Sequence, residues 1–239
     1  MTIDSYIYTN PGGREYNEDF VDKKDLSDGI VFILADGLGG HQRGELASKC
    51  VAFTFVKAKD PSPQADMEKW IANGLKKTND NLLFIQNREK CNMKTTAVIL
   101  SVRATNACWA HVGDSRLYFF HNEHIESVTE DHSVAYKKYR AGEITREQIA
   151  TDEDQSALLR TLGGKTCPPV DTASSPVEKG DAFLLCSDGL WEYVRDEEML
   201  IDLNKASNAQ QWAHLLLNRA IDRVPENHDN LSLITVMIQ

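Results

Sequence analysis

The sequence predicts an α+β fold built on antiparallel strands. Apolar, β-branched runs at 96–102, 107–112 and 116–120 follow one another too closely for the crossover helices that parallel strands require. Two other stretches, 44–56 and 66–85, carry their apolar residues at helical spacing instead. The chain has 239 residues, enough for one substantial core, so 1–239 is expected to form one domain.

In chain order, Ile3 to Tyr8 alternates well enough for an edge strand, and Asn10-Pro-Gly-Gly13 turns the backbone. Taken alone, Arg14-Glu-Tyr-Asn-Glu-Asp19 is a solvated charged face. It leads straight into Phe20-Val21, however, and past the polar turn 22–29 into the apolar run Ile30–Leu34, so its acids sit in a hairpin beside that strand. The run continues through Ala35 into Asp36-Gly-Leu-Gly-Gly-His41, read as a buried strand ending on a carboxylate and a hinge where backbone can approach a ligand. Ala47, Cys50, Val51, Thr54 and Phe55 then form one stripe of a packing helix. After Pro61-Ser-Pro63, Asp66 caps a second helix with Trp70, Ile71, Leu75, Thr78, Leu82 and Ile85 on its stripe.

From Thr95 the period shortens to that of strands, and the three central runs read as a meander with Gly113-Asp114-Ser115 as a hairpin turn. His121-x-x-His124 has zinc-ligand residue types but straddles a polar turn and lacks partnered cysteines, so a solvated pair is expected. Thr129 to Gly164 is too charged for the core and too long for a hairpin loop, which predicts a short-helix flap over the surface. Pro168-Pro169 returns the chain to the sheet. Asp181 to Leu190 then repeats the Asp36 pattern, with the apolar run 182–186 leading into Asp188-Gly189. Asp196-Glu-Glu198 opens a helix, and Trp212, Leu215, Leu216 and Ile221 mark an amphipathic helix between Asn208 and Arg223. Asp229-Asn230 precedes a closing apolar strand, Leu231 to Ile238.

Composition narrows the function classes. Twenty-six Lys plus Arg against 36 Asp plus Glu leaves a formal charge of −10, which argues against nucleic acid or an anionic membrane as partner. A phosphorylated substrate would then need a local cation, and Arg14 is the candidate. Five scattered cysteines without a Cys-x-x-Cys indicate neither a disulfide framework nor a zinc knuckle. No charged leader with an apolar core follows Met1, and no run reaches membrane-spanning length, so a cytoplasmic, non-inserted protein is expected.

Glu18, Asp19, Asp36, Asp114, Asp188 and Asp229 each stand at or beside an expected strand boundary. Two matched strands ending on Asp-Gly can bring carboxylates together only if a positive charge sits between them. Oxygen ligands without clustered His or Cys point to a hard cation, Mg²⁺ or Mn²⁺. Two such ions about 3.5–4 Å apart, bridged by one carboxylate, would ready a shared water for in-line attack on phosphorus. Asp36 is the expected bridge.

The motifs Arg14-x-x-Asn-Glu-Asp19, Ala35-Asp-Gly-Leu-Gly-Gly-His41 with Gly44-Glu-x-Ala-Ser48, Gly113-Asp-Ser-Arg116, Thr129-Glu-Asp-His-Ser133, Leu162-Gly-Gly164, Ser187-Asp-Gly-Leu-Trp191 and Asp229-Asn230 resemble, in order and spacing, the bacterial branch of the metal-dependent type 2C protein phosphatases. The resemblance spans essentially the whole chain. It implies a four-layer αββα sandwich of two antiparallel sheets, and hydrolysis of phosphoserine and phosphothreonine in proteins with two Mn²⁺ or Mg²⁺ ions. It also implies Arg14 on the phosphate, Asp36 bridging, the Gly37 carbonyl on one metal, and Asp188 with Asp229 on the other. Glu18 and Asp19 match acids acting directly or through ordered water. Asp114 matches the acid that forms a third-metal site with Asp188, and 129–164 matches the flap. The implied partners are phosphorylated proteins made by a serine/threonine kinase, and the chain is expected to act as a monomer.

One departure is Leu38, where some animal relatives carry a histidine proposed as general acid. His41 is nearby but reads as serving the turn, which leaves proton donation to a water, with the third site as its expected holder. Two other readings stay open on sequence alone. A catalytically dead phosphoprotein-binding module would lack a metal acid, whereas every one is present. A hydrolase of small phosphate esters would need a phosphate-cradling loop, and Gly37-Leu-Gly-Gly40 has neither the dinucleotide-binding glycine spacing nor a P-loop lysine.

Overall fold

The structure, a computed structural model, describes residues 1–39 and 43–239. Among them two antiparallel sheets form. The first runs in the order β1 (Ile3–Asn10), β11 (Leu231–Ile238), β10 (Ala182–Cys186), β7 (Arg116–His121), β8 (His124–Val128). The second runs β2 (Asp19–Leu26), β3 (Gly29–Leu38), β5 (Ala97–Arg103), β6 (Asn106–Val112), β9 (Asp171–Pro176), with β4 (Lys94–Thr95) against the end of β3. Helices α1 (Arg43–Val56) and α2 (Met67–Glu89) cover the second sheet. Helices α4 (Asp188–Trp191), α5 (Asp196–Lys205) and α6 (Ala209–Ile221) cover the first, while α3 (Val134–Arg140) and a 3-10 turn at Glu147–Thr151 lie within the flap.

Side-chain alternation on the strands produces the four layers. Along β3, Val31, Ile33 and Ala35 turn outward to Ala47, Val51, Phe55, Ile71 and Leu75 of the helices. Phe32 and Leu34 turn inward, where they join Val98, Leu100 and Trp109 against Leu117, Phe119, Phe183, Leu185 and Ile234 of the opposite sheet. Both faces of β3 are therefore dry, which is why its sequence is a continuous apolar run rather than an alternating one. On the far side, Tyr118, Phe120 and Leu184 pack against Trp212, Leu216 and Met199. Each fully buried side chain of this kind contributes about 1.5–3 kcal/mol.

Several expectations need correction. The three central strands are not a meander: β5 and β6 pair, but β7 leaves for the other sheet, where it pairs with β10 and β8. Gly113-Asp114-Ser115 is thus a crossing between sheets and not a hairpin turn. Gly113 takes φ +109, and a side chain there would meet Thr96 Cβ at 2.6 Å. Strand β3 does not stop at Asp36 but continues to Leu38, and Asp188 opens a short helix. The base of the flap is buried rather than superficial, because Asp131, His132 and Ser133 pack inside. On α1, Ala52 replaces Cys50 and Thr54 in the buried stripe. On α6, Leu217 and Ala220 replace Leu215 and Ile221, the last being 63% exposed. All five cysteines are free thiols, and no helix among the described residues is long and apolar enough to cross a membrane.

Candidate active site

The acids meet at one end of the sandwich because both sheets deliver strand ends there. In the second sheet Asp19 and Asp36 are register partners across β2 and β3. Asp114 arrives from the crossing between sheets, Asp188 from the turn after β10, and Asp229 from just before β11. A cleft of about 410 Å³ opens over them, lined by Arg14, Glu18, Asp36, Gly37, Asp188 and Asp229, with Tyr16 on one wall and Ser156 contributed by the flap.

Local hydrogen bonding fixes each backbone. The Asp36 N–H donates to Thr96 Oγ1 at 2.9 Å and its carbonyl accepts from the Thr96 N–H at 2.8 Å, while Thr96 Oγ1 lies 2.7 Å from Ser115 Oγ. The Asp36 strand and the Asp114 crossing are thereby tied together. The Gly37 N–H donates to the Glu18 carbonyl at 3.1 Å, and a Cβ on Gly37 would lie 2.1 Å from the Gly44 carbonyl oxygen, so only glycine lets α1 start this close to the acids. The Gly44 N–H in turn donates to Glu18 Oε1 at 3.1 Å. Asn230 Oδ1 accepts from the Glu18 N–H at 2.7 Å, and Ser187 Oγ donates to Asp19 Oδ2 at 2.8 Å, joining the two sheets at the cleft floor.

The electrostatics are those of carboxylates crowded in a dry place. Burial, then the charges of Asp19, Asp188, Asp114 and Asp229, push the Asp36 carboxyl well above the ordinary range. Asp188 is raised well above it too, by burial and then by Asp114, Glu192 and Asp229. Burial lifts Asp19 to about 6 and Asp114 to about 7, and raises Glu18. Arg14 supplies a cation at the rim, donating to Asp229 Oδ2 at 3.0 Å with both side chains about half exposed. Deeper in, Arg116 is committed to Asp131 through bonds of 2.8 and 2.7 Å. Trp191 stacks on its guanidinium at 3.7 Å and donates its indole N–H to the Asp114 carbonyl at 3.0 Å.

This donor set fits a hard cation. Asp19 Oδ1 is enclosed yet finds no hydrogen-bond donor among the described residues, and the acids supply oxygen alone. The structure brings Glu18, Asp19, Asp36, Gly37, Asp114, Asp188, Asp229 and Arg14 to this end of the molecule. His41 lies outside the described residues. Sequence reasoning missed Glu192. Burial, then Asp114 and Asp229, raise its carboxyl to about 7. It stands four residues after Asp188 at the end of α4, and that helical spacing was the available signal.

A protein-family profile described as protein phosphatase 2C matches residues 13–220. The serine/threonine phosphatase stp of Listeria innocua is 31% identical over 232 residues, covering 93% of this chain and 90% of its own. Among solved structures, the serine/threonine phosphatase Stp1 of Staphylococcus aureus superposes with a TM-score of 0.90 at 29% identity, covering 100% of this chain and 96% of its own. The catalytic domain of the serine/threonine protein phosphatase PstP in complex with two manganese ions matches with a TM-score of 0.86 at 25% identity over 99% of each chain.

Proposed function

The chain belongs to the protein phosphatase 2C family, and from that premise we propose that it removes phosphate from phosphoserine and phosphothreonine in proteins in a metal-dependent reaction. The observation that carries this reading is the meeting of Asp36 and Asp188, from opposite sheets, in one cleft rimmed by a lightly held arginine. Asp36, the Gly37 carbonyl, Asp188 and Asp229 would hold two ions, Mn²⁺ or Mg²⁺, with Asp19 and Glu18 supporting directly or through water. Such ions supply charge neutralisation and acidify water for attack on phosphorus at neutral pH.

The chain's own residues do the positioning. A half-exposed ion pair is worth only about 0–1 kcal/mol, so Arg14 can leave Asp229 for the phosphate oxygens at small cost and fix the phosphoryl group bidentately. Ser187 holds one oxygen of Asp19, and the other is enclosed without a hydrogen-bond donor among the described residues. Asp114, Asp188 and Glu192 form a second acidic group that suits a third, weaker ion, with Trp191 fixing the Asp114 backbone. Ser156 brings the flap to the cleft, where it would contact the phosphoprotein.

We place the protein in the cytoplasm as a single-domain monomer opposing a serine/threonine kinase. Five free thiols and a net charge of −10 support that setting. The test is hydrolysis of a phosphothreonine peptide with Mn²⁺ and with chelator. Turnover is expected only with the metal, and equal rates would remove the mechanism. Asp36→Asn is expected to abolish turnover and Asp114→Asn mainly to lower it.

A further inference from the structure

His121 and His124 close the β7–β8 hairpin at the opposite end of β7 from Arg116 and the acidic cleft. His121 is not the solvated residue expected from sequence. Its Nδ1 lies 2.7 Å from Oδ1 of buried Asp181, whose Oδ2 accepts from the Glu178 N–H at 2.8 Å. A carboxylate can only accept, so Nδ1 carries the proton and the Nε2 lone pair points outward, towards the Asn122 amide at 2.7 Å and Glu178 Oε1 at 3.9 Å. An imidazole backed by a carboxylate on one nitrogen, and held on the other only by the neutral amide of exposed Asn122, which a metal ion would displace, is close to the arrangement that metal-ligating histidines adopt. His121, Glu178 and Asp181 each offer a ligand atom within 4.8 Å of the others. The His124 ring lies 6.4 Å from that of His121 across the hairpin, but its nitrogens are engaged by the Asn122 carbonyl at 3.0 Å and Glu126 Oε2 at 3.1 Å.

We propose that His121 and Glu178, backed by Asp181, form a second metal site for a borderline cation, Zn²⁺, which clamps the β7–β8 hairpin to the turn preceding β10. Imidazole with carboxylate favours zinc, in contrast to the all-oxygen cleft. A second compact group, His111, His132 and Asp171, offers no such opening. Arg160 already stands 3.0 Å from His132 Nε2 and 2.9 Å from Asp171 Oδ1, and His132 Nδ1 accepts from the Gly113 N–H.

The experiment is equilibrium dialysis of the full chain against Zn²⁺ with the acidic cleft saturated by Mn²⁺, followed by metal analysis and thermal melting. One zinc per chain is expected, together with a raised melting temperature. His121→Ala and Glu178→Gln should each weaken zinc binding by about 10-fold or more, whereas Asp36→Asn should leave it in place. Glu178 is a safe position to vary, since its backbone rather than its exposed side chain holds Asp181. Unchanged zinc binding in both variants, or loss of the bound zinc in Asp36→Asn, overturns the site, as does the absence of any bound zinc.

Discussion

At the scale of single residues, the fold makes Asp36 carry a charge that its surroundings resist. Burial and four neighbouring acids disfavour its ionised form, so its proposed role on the metal ions and stability pull in opposite directions there. Asp36→Asn should therefore stabilise the metal-free protein while turnover is lost; urea titration in chelator checks the first effect. Arg14→Ala should leave stability nearly unchanged, because its pair with Asp229 is half exposed, yet lower kcat/KM by about 100-fold through loss of a phosphate donor. Steady-state kinetics on the phosphothreonine peptide would read that loss. Asp36 and Asp188 were legible in the sequence because the same strand-into-Asp-Gly pattern is written twice. Glu192 was less so, since its four-residue spacing from Asp188 at the end of the short α4 is a faint mark until its proximity to Asp114 is seen.

At the scale of elements, the flap is anchored from below. Arg116 of β7 and Asp131 at the flap base form a buried bidentate pair beneath the Trp191 ring of α4, so one contact joins strand, flap and the Asp188 helix. Breaking one partner leaves an uncompensated buried charge, and Asp131→Ala should cost about 3–5 kcal/mol in denaturant unfolding. Arg116→Lys should also destabilise, because an ammonium reproduces neither the paired hydrogen bonds nor the stacking. The helices were readable because a buried stripe at helical spacing reports itself, as Ile71, Leu75, Thr78 and Leu82 do on α2. The exchange of β7 between sheets was not, since β6 and β7 are dry on both faces and an apolar run does not say which sheet it joins. Strand β9, Asp-Thr-Ala-Ser-Ser-Pro, was invisible for the opposite reason. It is mostly exposed and polar, and is a strand because β6 offers it a free edge.

At the scale of the whole molecule, two sheets packed face to face each bring acids to the same end, and the sandwich is the frame that keeps those charges together. The cost of that gathering depends on pH. Asp19 is raised to about 6 and Asp114 and Glu192 to about 7, from ordinary values of 3.8, 3.8 and 4.5. Groups raised on folding favour the folded chain at low pH, and that advantage is lost as pH climbs through the folded values, so the metal-free protein should weaken between about pH 4 and 7. Cations need the same carboxylates ionised, so the stabilisation given by Mn²⁺ should grow across that window. Thermal melts with Mn²⁺ and with chelator should differ little near about pH 5 and widely near about pH 8; an equal gap at both would contradict this linkage. The convergence itself is tested most directly by anomalous diffraction from crystals soaked in Mn²⁺. Two peaks are expected in the cleft, with Asp36 within coordinating distance of both and Asp188 on one. A cleft without peaks, or Asp36 and Asp188 sharing no ion between their neighbourhoods, would contradict the account.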